Sequence, residues 1–585
     1  MGIYIRLIEY KSSDSKEIEF FNKRNWFNVE NQHDFSKIPG LLLAYWTSPL
    51  VRNLFLNKKI NDKYIPRQGM ATTDNERFLR FWFEIIRSKI DFGGNSDSYE
   101  WFPYNKGGSY RKWFGNNEYI VHYENNGKVM IDLVTQKYPK ISDPEFVIKN
   151  RKYYFSQGIT WSALSSGNLG ARFTPSGYIF DTKGPMFFIE NNEELYYLLV
   201  LLNTKVAINL LKILAPTLDF NPGAVGNLVF LSNKKDKDKI NILVIDSIKT
   251  AKNDWNSRET SWDFKQNELI RLKTLDGSIK STIVEYQKYW TEEFFQLNKN
   301  EEELNKIFIE IYGLQDELTP NVPLSDITIL KDELSERNEE AKTLKFDELV
   351  LIKQFISYSV GCMVGRYSLD VEGLVYAGGE FDSSKYKTFN ADKDGIIPIL
   401  SDDRFDDDIT ARFKEFVKVV FGEKNYSTNI DYIANVLGRK DDETAIECIR
   451  RYFLNDFYKD HVKMYKKRPI YWLYSSGKEK GFNAIVYMHR YKKETISILR
   501  MDYLHKLQRS YDLDYETAER QEKSTSDSKQ KIQLQKRMIY LKAVLQELKK
   551  YDELLRHYAD KQVEIDLDDG VVVNYDKFKE LLVKI

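Results

Sequence analysis

Cysteine is nearly absent. Cys362 and Cys448 are the only two in 585 residues, too few for a disulfide framework or for a zinc site with three or four thiolate ligands, and both read as core filler. None of the fourteen prolines is adjacent to another. That excludes the Asn-Pro-Pro-aromatic tetrapeptide with which an adenine-N6 methyltransferase grips an extruded base. The nearest approach, Asn221-Pro222-Gly223-Ala224, lacks the aromatic residue and reads as a turn. No apolar run reaches the roughly 18 to 20 residues needed to span a bilayer, and the N-terminus MGIYIRLIEYKSSDSKE has no basic region followed by an apolar stretch and a cleavage site. A cytoplasmic location is the expectation. Net charge is missing too: 87 basic residues balance 87 acidic ones, so nothing global draws the chain to phosphate and nucleic-acid binding would have to rest on local patches. There is no P-loop, no GxSxG elbow and no HExxH, and none of the six histidines is paired at i, i+4 for a metal.

What is there is an ordered, aromatic-rich chain. Hydrophobic residues make up 42% and aromatics 14%, ample for burial, against 30% charged residues, and the length predicts three or four units at about 150 residues each. The fold class expected is multidomain α/β and α+β. Residues 1–235 are dense in Trp, Tyr, Phe, Gly and Asn with short apolar runs between turns, a strand-rich unit with long loops. One amphipathic helix, ELYYLLVLLNTKVAINLLKIL at 194–214, closes it before Pro216. Residues 236–345 form a helical spacer. Residues 346–500 mix helices (DELVLIKQFISYSVGCMVGRYSL, TARFKEFVKVVFG) with an aromatic strand pattern around Tyr471 to Tyr487. Residues 501–585 carry long helices with a leucine-rich seam (Leu534, Met538, Leu541, Leu545, Leu548, Leu555), then a final hairpin turning at Asp569-Gly570.

Four segments are candidates for gripping nucleic acid. QGMATTDNERFLRFWFE (68–84) places Thr73 and Asn75 ahead of a helix carrying Arg77 and Arg80, and a helix N-terminus behind such a loop offers donors to a phosphate. WFPYNKGGSYRKWFGNNE (101–118) combines Lys106, Arg111 and Lys112 with Tyr104 and Trp113, and Gly107-Gly108 lets backbone approach a ligand. QGITWSALSSGNLGARFTPSGYIFD (157–181) sets Arg172 among polar loop residues. Between His461 and Lys493 lie nine Lys or Arg, including Lys466, Lys467 and Arg468, and one acid, Glu479; counterion release makes such a patch useful on DNA. His461 and His489 flank it as surface histidines. Polar loops on a strand-rich core and a solvated surface explain the same residues equally well. The acidic run Asp402, Asp403, Asp406, Asp407, Asp408 precedes a helix from about Ile409, where carboxylates cap the N-terminus.

The same segments carry a resemblance. DFSKIPGLLLAYWTS (34–48), GMATTDNERFLRFW, WFPYNKGGSYRKWFGNNEYIV, QGITWSALSSGNLGARFTPSGYIFD and LLVLLNTKVAINLLKILAPTLDF resemble the specificity region of PglX-like adenine-specific DNA methyltransferases of BREX phage-defence systems. NEEELNKIFIEIYGLQDELTP (300–320), SYSVGCMVGRYSLDVEGLVYA (357–377), KKRPIYWLYSSGKEKGFNAIVYMHRY (466–491) and IDLDDGVVVNY (565–575) are similar to the C-terminal part of that family, in the family's order. The resemblance implies that 1–235 is a target-recognition domain. It also implies that the Rossmann-like catalytic domain, which binds S-adenosylmethionine in full-length members, lies outside this chain, so that no methyl transfer is expected from it alone and neither catalytic, cofactor-binding nor metal residues are assigned. The expected partners are double-stranded DNA, a methyltransferase domain in trans and other BREX proteins, the chain being a split or truncated gene product. An assembly protein of the defence complex with only weak DNA binding is the alternative, and an unrecognised nuclease a third.

Overall fold

The computed structural model describes residues 2–585 except 9, 23–25, 30, 31, 94–98, 141, 142, 166, 218 and 234. The architecture is mixed α/β, with five small sheets of two to four strands among the described residues. An antiparallel pair, Gly2–Ile5 with Trp26–Val29, opens the chain. Residues 79–188 then supply two sheets, in line with the strand-rich reading. In the larger, Tyr119–His122 lies between Leu79–Phe81 and Trp101–Asn105, and Ile179–Phe180 adds in parallel to the outer side of Trp101–Asn105. Pro103 is tolerated in a buried strand because the parallel partner pairs only from Tyr104 onward, so no ladder bond is asked of the missing N–H on that side. The smaller sheet places Gly158–Trp161 between Ala171–Thr174 and Met186–Phe188.

The helix expected over 194–214 is two helices, Asn192–Asn203 and Lys205–Leu214, bent by 65°. The apolar spacing runs straight through, but the joint is fixed by side chains. Asn203 exchanges both amide bonds with the backbone of Ala171, at 2.9 and 3.0 Å, and Thr204 caps the second helix by accepting from Ala207 N–H. Local side-chain hydrogen bonding here wins over helix continuation. Both helices are largely buried. No single described helix is long and apolar enough to cross a membrane.

The stretch 236–345, expected to be a helical spacer, holds Lys237–Asn256 and the 34-residue helix Ile279–Tyr312, which starts at the N-cap Ser278 and stops at Gly313 in the left-handed region, but it ends in an antiparallel hairpin, Leu334–Asn338 with Thr343–Phe346, and so is not helical throughout. Beyond it, Glu348–Met363 is buried from Leu351 to its end with only two half-buried residues. In Ile409–Phe421 the carboxylate of Asp408 accepts from Thr410 N–H at 3.0 Å, so this member of the acidic run caps a helix. The aromatic strand pattern is a hairpin, Tyr471–Ser475 with Asn483–Tyr487, joined by Ile396–Pro398. His505–Ser524 and Ser528–Lys561 fold back on each other, and Leu534, Leu541, Leu548 and Leu555 are buried at seven-residue spacing with Met538 and Leu545 half-buried.

The final hairpin is not formed. Leu567–Asp569 is a single 3-10 turn, and Gly570–Asp576 is helical. The reason is tertiary. The buried carboxylate of Glu84 accepts from Val571 N–H at 2.8 Å, and Arg80 donates to the carbonyls of Asp568 and Asp569 at 3.2 and 3.1 Å. Gly570 has φ +76°, and a Cβ there would sit 2.5 Å from Arg80 Nε, so glycine is required twice over. A contiguous apolar core takes side chains from Ile38 to Leu582. A smaller one, around Met70, Phe102, Tyr104, Val121, Met130 and Phe180, lies within the strand-rich region.

Candidate nucleic-acid interface

Three of the basic residues singled out near the hairpin meet a fourth from the first region at the surface. Strands Leu79–Phe81 and Tyr119–His122 pair with Phe81 opposite Tyr119, and their rings stack with centroids 4.6 Å apart. Half-buried Lys106, just past Trp101–Asn105, holds its Nζ 5.4 Å from the Tyr119 ring. From the other side comes the turn 465–468. Lys466 Nζ lies 5.7 Å from the Phe81 ring and bonds Glu118 at 2.5 Å. Lys466 and Lys467 both adopt positive φ, +52° and +60°, a conformation that costs a non-glycine residue about 1 kcal/mol or more. Bonds from Lys467 N–H to Val462 and from Arg468 N–H to Tyr465 hold the turn. Lys467 is exposed and Arg468 half-buried, its charge felt by Tyr119 and Glu84. Burial, then Glu118, pushes the Tyr119 hydroxyl up to about 12, so the ring stays neutral. The result is a ledge of two stacked aromatics with Lys106 and Lys466 over the rings, Arg468 near enough for its charge to reach Tyr119, and Glu118 bonded to Lys466; exposed Lys467 is the neighbour of both in the turn.

The other basic candidates of the first region are elsewhere. Arg111, Lys112, Trp113, Arg172 and Tyr104 are all buried, which corrects the expectation that they face a ligand. Arg111 Nη2 donates to Asp254 at 2.6 Å, Lys112 pairs with Glu301, and Trp113 Nε1 donates to the same Glu301 at 2.8 Å. Burial would raise the Asp254 carboxyl, yet Arg258 and Arg111 hold it down to about 2. Arg172 donates to the carbonyls of Arg111 and Gly170, and burial followed by the Arg111 charge lowers it to about 9. Tyr104 donates to Asp181 at 2.8 Å. Asp254 and Glu301 come from the two long spacer helices, so the stretch RKW joins the strand-rich region to the spacer. Gly107 and Gly108 do serve close approach, but to Lys183 O and the Asn116 side chain of this chain.

The 68–84 segment also departs from expectation. Only Asn75–Phe78 is α-helical, because Leu79–Phe81 is drawn into the sheet, and Trp82–Glu84 follows as a 3-10 turn. Asp74 already accepts from Arg77 N–H at 3.0 Å, so no free N-terminus awaits a phosphate. Thr73 sits at φ +61° with its hydroxyl buried, and Asn75 accepts from the Thr72 hydroxyl at 2.6 Å. Arg77 is exposed beside a cavity of about 590 Å³ whose walls include Asp74, Glu76, Asp568 and Asp569 as well as Arg80 and His122. That balance of charge does not suit a polyanion. His461 and His489 are buried, not at the surface. His461 Nε2 accepts from Tyr471 N–H at 3.1 Å, and burial, then Arg366, pushes both imidazoles down to about 3.

The chain is similar in sequence to known proteins. The chain is 38% identical over 594 residues to the adenine-specific methyltransferase PglX of Lacticaseibacillus casei (strain Zhang), across 99% of this chain and 48% of that protein. The chain is homologous to a portion of the PglX-type adenine-specific methyltransferases. A second such relative, the adenine-specific methyltransferase BrxX of Escherichia coli O9:H4 (strain HS), is 39% identical over 599 residues, with the same two shares. The chain thus spans about half the length of the PglX-type relatives it matches. No known family profile matches it. Charge in the sequence singled out Lys106 and Lys466 to Arg468, whereas Phe81, Glu118 and Tyr119 join them only through strand register, which one sequence does not show.

Proposed function

We propose that this chain is the DNA-sequence-recognition portion of an adenine-N6-specific DNA methyltransferase of a BREX phage-defence system. In this reading it holds duplex DNA in the cytoplasm while a separate S-adenosylmethionine-binding domain performs the transfer. The observation that carries it is the ledge: Lys106 and Lys466 over the stacked rings of Phe81 and Tyr119, with Lys467 and Arg468 in the same turn as Lys466. Phosphates displace counterions at such a surface, and flat rings pack on sugar or an unstacked base. The residues nearest to a catalytic tetrapeptide do not fit an extruded adenine. Asn221 Oδ1 accepts from Ala224 N–H at 3.0 Å and caps the short helix Pro222–Gly226, so its amide is spent on a turn, and no step of methyl transfer is assigned here.

The test is fluorescence anisotropy with a pool of random duplexes across a salt series. Lys106→Ala combined with Lys467→Ala and Arg468→Ala is expected to cost tenfold or more in affinity and to reduce the salt slope by about 2 to 3, near 0.9 per lost phosphate contact. Unchanged affinity and slope would remove the ledge from the interface. Sequencing of the bound pool then decides between recognition and simple adhesion, since recognition requires enrichment of one short motif containing an adenine.

A further inference from the structure

The tail helix Ser528–Lys561 carries two lines of residues. The leucine seam from Leu534 to Leu555 is its buried one. Two positions ahead of that seam, Ile532, Lys536, Ile539, Ala543, Gln546 and Lys550 recur at the same alternation of four and three, and on one continuous helix such a line lies on the opposite side. Ile532 and Ile539 are 53% and 71% exposed, Lys536, Gln546 and Lys550 are exposed, and Ala543 is half-buried. From Lys529 to Lys550 the helix holds seven basic residues and one acid. That acid, Glu547, is engaged elsewhere: Oε1 accepts from the Ser476 hydroxyl at 2.6 Å and Oε2 from Glu479 N–H at 2.7 Å. Lys531 and Arg537 each reach a carboxylate, of Glu522 and Asp514, at 3.6 Å. The other five, Lys529, Lys536, Lys542, Lys549 and Lys550, are exposed and form no ion pair among the described residues. In a chain with no net charge, this is a cationic strip about 33 Å long at the rise of an α-helix, with isoleucines along its midline.

We propose that this face docks an acidic amphipathic helix of a partner protein, laid along Lys529–Lys550 as a third helix beside the pair His505–Ser524 and Ser528–Lys561. Charge and apolar spacing select that occupant together. A line at four-three spacing that holds Ile532, Ile539 and Ala543 offers an incoming helix a seam for its own aliphatic side chains, and lysines on and beside the line meet the glutamates that flank such a seam. A second copy of this chain would set lysine against lysine, which charge complementarity disfavours. Duplex DNA would satisfy the lysines but leave both isoleucines facing the phosphate backbone. A bilayer surface calls for a broad apolar face with bulky side chains, whereas this line presents two isoleucines among lysines. The inference goes beyond DNA recognition and does not rest on it.

Fluorescence anisotropy tests it on the whole 585-residue chain. The probe is a labelled synthetic helix of four heptads with leucine at the two seam positions and glutamate at the flanking ones. Saturable binding is expected, weakened at least tenfold by Lys536→Glu with Lys550→Glu and at least fivefold by Ile539→Asp. The melting temperature should stay unchanged, because all three side chains are exposed. Absence of saturable binding, or equal affinity in the variants, overturns the proposal. Polyglutamate of equal charge that binds as tightly shows adhesion without a seam and overturns it too. Random duplex DNA or phosphatidylglycerol vesicles that bind more tightly than the peptide, and lose affinity with the same variants, assign the face to that surface instead. Dimers in sedimentation that Ile539→Asp abolishes assign it to a second copy and overturn it as well. Lys467→Ala with Arg468→Ala should leave peptide binding unchanged, so failure of the DNA reading and failure of this one are read separately.

Discussion

Two stretches look alike as sequence, WFPYNKGGSYRKWF at 101–114 and YKKRPIYW at 465–472, each a basic cluster set among large aromatics. They end in opposite surroundings. Arg111 and Lys112 disappear into ion pairs with Asp254 and Glu301, whereas Lys467 stays exposed and Lys466 bonds a carboxylate at the rim. The difference lies in what the rest of the fold delivers. Helices Lys237–Asn256 and Ile279–Tyr312 bring two buried acids to the first stretch, and among the described residues no acid pairs with Lys467. A cationic motif predicts a polyanion only when no internal acid claims it, and the acid can stand nearly 200 residues away.

The sharpest way to break this comparison is to treat both stretches alike. Lys112→Ala leaves Glu301 buried without its cation and is expected to lower stability by about 3 to 5 kcal/mol, read from the denaturant midpoint. Lys112→Met with Glu301→Leu should recover most of that, because an apolar pair of similar volume replaces the ion pair. A loss below about 1 kcal/mol for the single change would show that the first stretch is as dispensable as the second.

The histidines that bracket the exposed stretch come next. Both titrate near 3 when folded and near 6.5 when unfolded. The unfolded chain therefore binds more protons between those values, and stability is complete above about pH 6.5 and is lost progressively as pH falls toward 3. Each contributes a loss of about 2 kcal/mol between pH 7 and pH 5, which urea titrations at the two pH values would measure, and His489→Gln should remove about half. DNA affinity between pH 6 and 8 should show no histidine titration, as expected if both rings lie beneath the ledge and outside the contact.

A smaller effect separates the stretches in binding. Lys467→Ala with Arg468→Ala should leave the melting temperature within a degree or two while weakening duplex binding about tenfold. Smaller still is Lys466→Ala, whose half-exposed pair with Glu118 contributes no more than about 1 kcal/mol and whose loss should reduce affinity two- to threefold.

The sequence was a good guide wherever local signals and burial agree. The helices Glu348–Met363 and Ile409–Phe421, the strand character around 471–487 and the leucine seam from Leu534 to Leu555 could all be read from spacing alone. It misled where a distant partner overrules the local pattern. Asn203 breaks a continuous apolar helix by bonding Ala171, Leu79–Phe81 leaves a helical run to pair with 119–121, and Val571 leaves a hairpin pattern to reach Glu84. The candidate site divides the same way. Its charges were legible, but the aromatic floor of Phe81 and Tyr119 depends on the register of two strands forty residues apart.

The link between Glu84 and Val571 bears on how the chain is made. Arg80 and Glu84 are synthesised nearly 490 residues before the carbonyls of Asp568 and Asp569 and the N–H of Val571. At 5 to 20 residues per second, the nearly 490 intervening residues take roughly 25 to 100 s. Throughout that interval the carboxylate has its local bond from Phe81 N–H and the guanidinium its bonds to the carbonyls of Glu76 and Leu79 but not the distant partners, so the packing around Glu84 is completed only after residue 571 has emerged, and a nascent chain stalled before residue 565 should be open to protease along 76–90.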